Sequence, residues 1–195
     1  LSAFERDILL LSAGVELSSQ LRERCQQLAG ANAATLSFGL ALSLLDEPHW
    51  SALSPERPLR RWRLVELDAG RSPTSGALRI DESILHALAG LHVIDERLRD
   101  LIQPIVPDAP LFAAHEARVA MIVRALDGSG RSLVYGGDVL ARQHVAARAL
   151  AELGLHAYRV RAAEIPLDPR ERALLATLWA REAAIMPAGL ILDVG

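Results

Sequence analysis

The sequence contains no lysine, so all 21 of its basic residues are arginine and no position supplies an ammonium group to a phosphate site. One cysteine in 195 residues excludes an internal disulfide framework and any multi-cysteine metal site, which suits a reducing compartment. No paired-histidine metal spacing exists among His49, His86, His92, His115, His144 and His156, and no G-x-S-x-G elbow supports a hydrolase triad. The apolar run inside Phe4-Glu-Arg-Asp-Ile-Leu-Leu-Leu-Ser-Ala13 is too short to cross a bilayer and is flanked by acids, so it is neither a span nor a secretory signal. There is no internal repeat and no low-complexity segment. A net charge of −3 and a pI of 6.1 give no whole-chain attraction to nucleic acid or to anionic membrane. These absences predict a cytoplasmic protein with no membrane partner.

Hydrophobic residues make up 51% of the chain, enough for one large domain or two small ones. Ser2 and Glu5 form a capping box before a first helix over residues 3–13, which Gly14 is expected to end. A second helix is expected over 17–28, where Cys25 shares a stripe with Leu17, Leu21 and Leu28 and reads as a small core residue. A third covers 36–45. The period then changes: residues 59–67 alternate as a strand, 68–76 are a Gly/Ser/Pro/Asp-rich tip, and 77–80 form a return strand. Asp81 caps a further helix to about residue 89, and residues 94–102 read as helical. Three helices followed by a hairpin describe an α+β winged helix, assigned to residues 1–103. The Pro-punctuated stretch 103–110 is the expected domain boundary.

Beyond that boundary, residues 111–195 read as an α/β unit with a parallel sheet, truncated at its end. A helix over 111–126 leads through the turn Asp127-Gly-Ser-Gly130 to a buried strand, Arg131-Ser-Leu-Val-Tyr135, then a glycine turn and a helix to Leu153, with Gly154 as C-cap. Residues 157–160 are a second strand, a helix runs from Pro169 to about Ile185, and 189–193 are a third strand. The eight positions Gly136 to Gln143 lie where a phosphate-binding loop, G-x-x-x-x-G-K-[ST], would lie: Gly136 fits, and Gly137 follows it. Ala141, Arg142 and Gln143 depart from the second glycine, the lysine and the hydroxyl. Leu190-Ile-Leu-Asp193 has the form of a strand whose terminal carboxylate holds Mg²⁺, but Val194 stands where a water-activating Glu would follow. Gly136, Gly137, Arg142, Gln143 and Asp193 are thus the candidate, degenerate nucleotide-site residues. No catalytic and no metal-binding set is expected in this segment, and ATP turnover by it is not expected. Asp138 at the mouth is expected either to repel phosphate or to cap the helix itself.

The runs Phe38-Gly-Leu-Ala-Leu-Ser-Leu-Leu45, Trp50-Ser-Ala-Leu-Ser-Pro55, Pro58-Leu-Arg-Arg-Trp-Arg-Leu-Val-Glu-Leu67, Leu78-Arg-Ile-Asp-Glu-Ser-Ile-Leu-His-Ala-Leu-Ala-Gly90 and Leu178-Trp-Ala-Arg-Glu-Ala-Ala184 carry a further signal. Through them nearly the whole chain resembles bacterial AAA-type ATPases with an N-terminal winged-helix domain, a family found among other places beside contractile injection systems. The resemblance implies a non-catalytic N-terminal interaction region in which a degenerate, partial AAA unit positions a docking winged helix. It places ATP and Mg²⁺ in a downstream AAA module of the same chain, and it implies a protein partner, with homo-oligomerisation as an option. Two alternatives stay open: a winged-helix DNA-binding regulator, and a weak ATP- or ADP-binding module. Against DNA, Arg57, Arg60, Arg61 and Arg63 are surrounded by Glu47, Glu56, Glu66 and Asp68; alternation would put Arg61 and Arg63 on one face and Arg60, Trp62 and Leu64 on the other.

Overall fold

A computed structural model describes residues 1–30, 34–68, 72–107, 112–136 and 138–195, and of Ser129 the backbone. Its contacts divide the chain into two units, Leu1–Val93 and Ile94–Gly195.

In the first unit, Ser2 and Glu5 close the capping box: Ser2 Oγ accepts the Glu5 amide at 3.1 Å, and the Ser2 amide donates to Glu5 Oε2 at 2.7 Å. Helix α1 (Ala3–Leu17) runs straight through Gly14. Here glycine serves close packing, since a Cβ at that position would meet Leu21 Cδ2 of α2 (Ser19–Ala29) at 2.5 Å. Cys25 is buried among apolar residues, and burial pushes its thiol pKa up, which fits a packing residue. Leu17 and Leu28 of the same expected stripe are exposed.

Helix α3 (Phe38–Leu44) starts on the Ser37 cap. Gly39 inside it donates its amide to the Thr74 carbonyl at 2.9 Å, and an added Cβ would lie 2.8 Å from that oxygen. Gly39→Ala should therefore lower stability by about 1–2 kcal/mol, because crowding against a backbone carbonyl outweighs the helix-propensity gain. Thermal unfolding checks this, and a rise in melting temperature would show that the Thr74 loop yields without cost.

The strand expected over 59–67 is only partly present. Residues Pro58–Arg61 form a short helix, α4, because Pro58 at the first helical position has the required φ and no amide to satisfy, and Leu59 is driven fully into the core. Arg63, at φ 49°, turns the chain, and the strand β1 is Val65–Leu67 alone. It pairs antiparallel with β2 (Leu78–Ile80), setting Val65 against Ile80, Glu66 against Arg79 and Leu67 against Leu78. Asp81 then caps α5 (Glu82–Leu88). Phe4, Ile8, Phe38, Leu59, Val65, Leu78, Ile80 and Ile84 form the common core of this unit.

The second unit begins earlier than the proline stretch. Asp95 caps the four-residue helix α6 (Glu96–Arg99), and Ile102–Ile105 form a strand, β3, where the sequence suggested first a helix to residue 102 and then a linker. Pro104 is tolerated because β3 is an edge strand, where a missing amide costs no ladder bond. Helix α7 (Ala113–Ser129) absorbs most of the expected turn and ends on Gly130, whose φ of 68° suits a left-handed cap. Residues 131–135, expected as a buried central strand, form no strand: Leu133 and Tyr135 are 81% and 85% exposed. Helix α8 (Val139–Glu152), strand β4 (His156–Arg161), helix α9 (Pro169–Ile185) and strand β5 (Ala188–Asp193) follow as the pattern indicated.

The expected parallel sheet is a mixed sheet of order β3-β4-β5. β4 and β5 are parallel, joined by α9, whereas β3 runs antiparallel to β4 with Ile102 opposite Val160. Tyr158 and Val160 pack with Leu98, Leu178 and Trp179 on the α6/α9 side; Ala157 and Ile191 pack with Ala147 and Leu150 of α8 on the other. A buried charge cluster ties the start of the unit to α9: Arg181 donates to Asp95 Oδ2 at 2.5 Å and to Glu182 Oε1 at 3.1 Å, and Asp95 also accepts from Arg97.

Candidate functional site

The sequence candidates converge where α8 begins and β5 ends. Alternation along β5 sends Gly189, Ile191 and Asp193 toward α8, and Gln143 lies one turn into α8 on its inward face. Gln143, 7% exposed, donates from Nε2 to Asp193 Oδ2 at 2.9 Å, while its Oε1 accepts from Arg159 Nη1 at 3.4 Å. The other Arg159 nitrogen, Nη2, donates to Gln103 Oε1 at 2.5 Å. Asp193 Oδ1 takes the Gly195 amide at 3.3 Å. The carboxylate is thus bonded at both oxygens, and the carboxamide at both ends.

The helix start is closed in the same way. Asp138 is the N-cap of α8, its Oδ2 accepting the Ala141 amide at 3.1 Å. That bond removes one of the free amides an anion would use and leaves a negative charge at the mouth. Arg142 turns to backbone carbonyls, donating to Gly136 at 3.4 Å and to Gly195 at 3.3 Å. Gly136 sits at φ 81°, a turn conformation glycine adopts without strain, and Gly137 lies outside the described residues. The structure therefore brings Gly136 and Arg142 together in one bond and Gln143 and Asp193 in another, with Arg142 also reaching Gly195 beyond the end of β5. Sequence reading missed Arg159 and Gln103. The signal for Arg159 was its parity on β4, which places it on the α8 side beside Ile191; Gln103 was hidden by the linker reading of its segment.

Mg²⁺-nucleotide does not fit these residues. The ammonium is absent, the guanidinium of Arg142 is turned onto carbonyls, and the Asp193 carboxylate already holds an amide. Among the described residues, no three His, Cys, Asp or Glu side chains are placed to hold a metal ion. No described helix is long and apolar enough to cross a membrane.

The second candidate surface is the root of the wing. Arg57 pairs with the buried carboxylate of Glu5 at 3.0 Å, Arg60 donates to the Leu53 carbonyl at 2.8 Å, and Arg61 lies 5.5 Å from the centre of the Trp62 ring. The alternation expected over residues 60–64 does not hold, because Arg60 and Arg61 are helical. The first unit carries nine arginines against eleven acids, a net charge of −2.

The family model described as winged helix domain, variant, matches residues 1–102. Neither a curated protein nor a solved structure matches the chain.

Proposed function

The chain belongs to the winged helix domain, variant, family through residues 1–102, and from that premise we propose that its first unit docks a protein partner rather than DNA. The observation that carries this is the engagement of the wing-root arginines. Arg57 serves a buried acid, Arg60 a carbonyl and Arg61 a ring, within a unit of net negative charge, whereas a phosphate track needs clustered cations facing outward. Trp50, 68% exposed at the start of a 3₁₀ turn, is the type of side chain that anchors protein interfaces. The finer identity belongs to the same proposal: a non-catalytic, cytoplasmic N-terminal region of a bacterial AAA ATPase, with ATP and Mg²⁺ handled by the AAA module of the full-length protein. The five sequence runs that resemble that family support it. No described strand leads into the Gly136 turn, and Arg142 and Gln143 are engaged within the chain, which disfavours the weak ATP- or ADP-binding reading.

Titration of fluorescent random-sequence duplex DNA at 50 and 200 mM salt tests the docking role against the regulator. The expected result is no association tighter than about 100 µM at either salt. Micromolar binding that weakens steeply with salt would overturn the proposal and make the wing a DNA contact.

A further inference from the structure

In a nucleotide-binding site the carboxylate at such a strand end holds Mg²⁺, and here a side-chain amide lies against Asp193 instead. We infer that the internal pair Gln143–Arg159 takes the position and the charge that a divalent cation would supply to Asp193, converting a cradle into a fixed joint between α8 and β5. This goes beyond the docking role of the winged unit and does not depend on it.

Geometry excludes a shared arrangement. Mg²⁺ would approach a carboxylate oxygen to about 2.1 Å. Along the line from Asp193 Oδ2 to Gln143 Nε2, only 2.9 Å long, such an ion would lie inside the amide nitrogen. The carboxamide cannot simply flip to offer its oxygen. Its Oε1 accepts from the Arg159 guanidinium, and reversal would set oxygen against carboxylate and NH₂ against guanidinium. Arg159 brings the compensating charge: the carboxylate is linked through one amide to a cation, which is itself held by Gln103 on the edge strand β3. The remaining Asp193 oxygen is taken by the Gly195 amide, and Arg142 straddles the loop and the strand end. Asp193 also sits near Arg161, whose pKa is raised mainly by its hydrogen bond to Glu164 and in smaller part by the Asp193 charge. Both Asp193 oxygens and both ends of the Gln143 carboxamide have partners, the condition under which a polar network fixes one arrangement instead of weakening it.

The test uses Mn²⁺ as the probe on the full chain. Wild type should show no Asp193-dependent Mn²⁺ binding by electron paramagnetic resonance up to about 10 mM. In Gln143→Glu/Arg159→Gln the amide and its cation are replaced by a second carboxylate facing Asp193. That variant should gain Mn²⁺ affinity about tenfold or more, and Asp193→Asn in the same background should abolish the gain. A second measurement needs no variant beyond a control. The Gln143 side-chain NH₂ signals in wild type should exchange slowly and stay unmoved by 10 mM Mg·ADP, whereas Asp193→Asn should accelerate their exchange. Asp193-dependent Mn²⁺ binding by wild type, a folded double variant with no gain, or Gln143 signals that exchange like those of an exposed glutamine would each overturn the inference.

Discussion

Replacing Arg181 with alanine is expected to cost the second unit about 3–5 kcal/mol, a large part of the 5–15 kcal/mol that holds an ordinary domain together. Asp95, Arg181 and Glu182 are all at least 95% buried, so deleting the guanidinium takes a compensating charge from two carboxylates that water cannot reach. Asp95 retains Arg97, which is more exposed and neutralises it only in part, and Glu182 loses the bonds that Arg181 makes to its Oε1. Amide exchange across β4 and α9 should rise together, because α6 and β3 are held to α9 through this contact and through Leu98 and Leu178. A loss under about 1 kcal/mol would mean the cluster is satisfied in some other way.

The second large effect lies in the first unit and turns on an asymmetry between partners. Glu5 is fully buried, whereas the Arg57 side chain that pairs with it is 42% exposed. Removing the exposed partner is the worse choice, since Arg57→Ala abandons a buried charge and Glu5→Gln leaves only an arginine that water can solvate. Arg57→Ala should cost about 2–3 kcal/mol after allowance for the solvent around Arg57. Arg61→Ala, whose side chain rests on Trp62, should cost less than about 1 kcal/mol. Equal losses for the two variants would refute the assignment.

The same pair predicts a pH dependence. Burial alone would raise the Glu5 pKa, but the Ser2 amide and Arg57 together outweigh it and hold the carboxyl below its usual range. For Asp95, burial is likewise outweighed by Arg97 and Arg181. A depressed carboxyl stabilises the fold fully above its unfolded pKa, near 4, and that contribution is lost as the pH falls through the lowered folded value. Wild type and Arg57→Ala should therefore converge in stability in urea unfolding as the pH falls from the unfolded carboxyl pKa through that lowered folded value.

Where local chemistry decided the outcome, the sequence was sufficient. The Ser2/Glu5 box, the Asp81 and Asp138 caps, and the helix from Pro169 rest on contacts within a few residues, and all are found. Where a distant partner decided, it was not. Residues 131–135 have the composition of a buried strand, but no described strand lies beside them, and composition does not report a neighbour. Pro104 read as a linker because prolines interrupt ladders, yet at an edge the ladder has a side that needs no donor. Pro58 misled in the opposite sense: an alternating run hid a helix start. The candidate site was legible as a set of residues, since Gly136 meets Arg142 and Gln143 meets Asp193. That they meet in order to satisfy one another depends on Arg159, whose role follows only from the register of β4 against β5.

The pairing of Ile102 with Val160, and of Asp95 with Arg181, fixes an order of events during synthesis. The first unit holds all of its own core within residues 1–93 and can close while the ribosome is still adding chain. The stretch 94–105 cannot. It must wait, with Leu98 and Ile102 unburied, until β4 and then α9 have emerged, at the growth rate of roughly 5–20 residues per second. For those seconds the nascent chain carries an uncovered apolar segment behind a finished domain, and this is the interval in which a chaperone has something to hold.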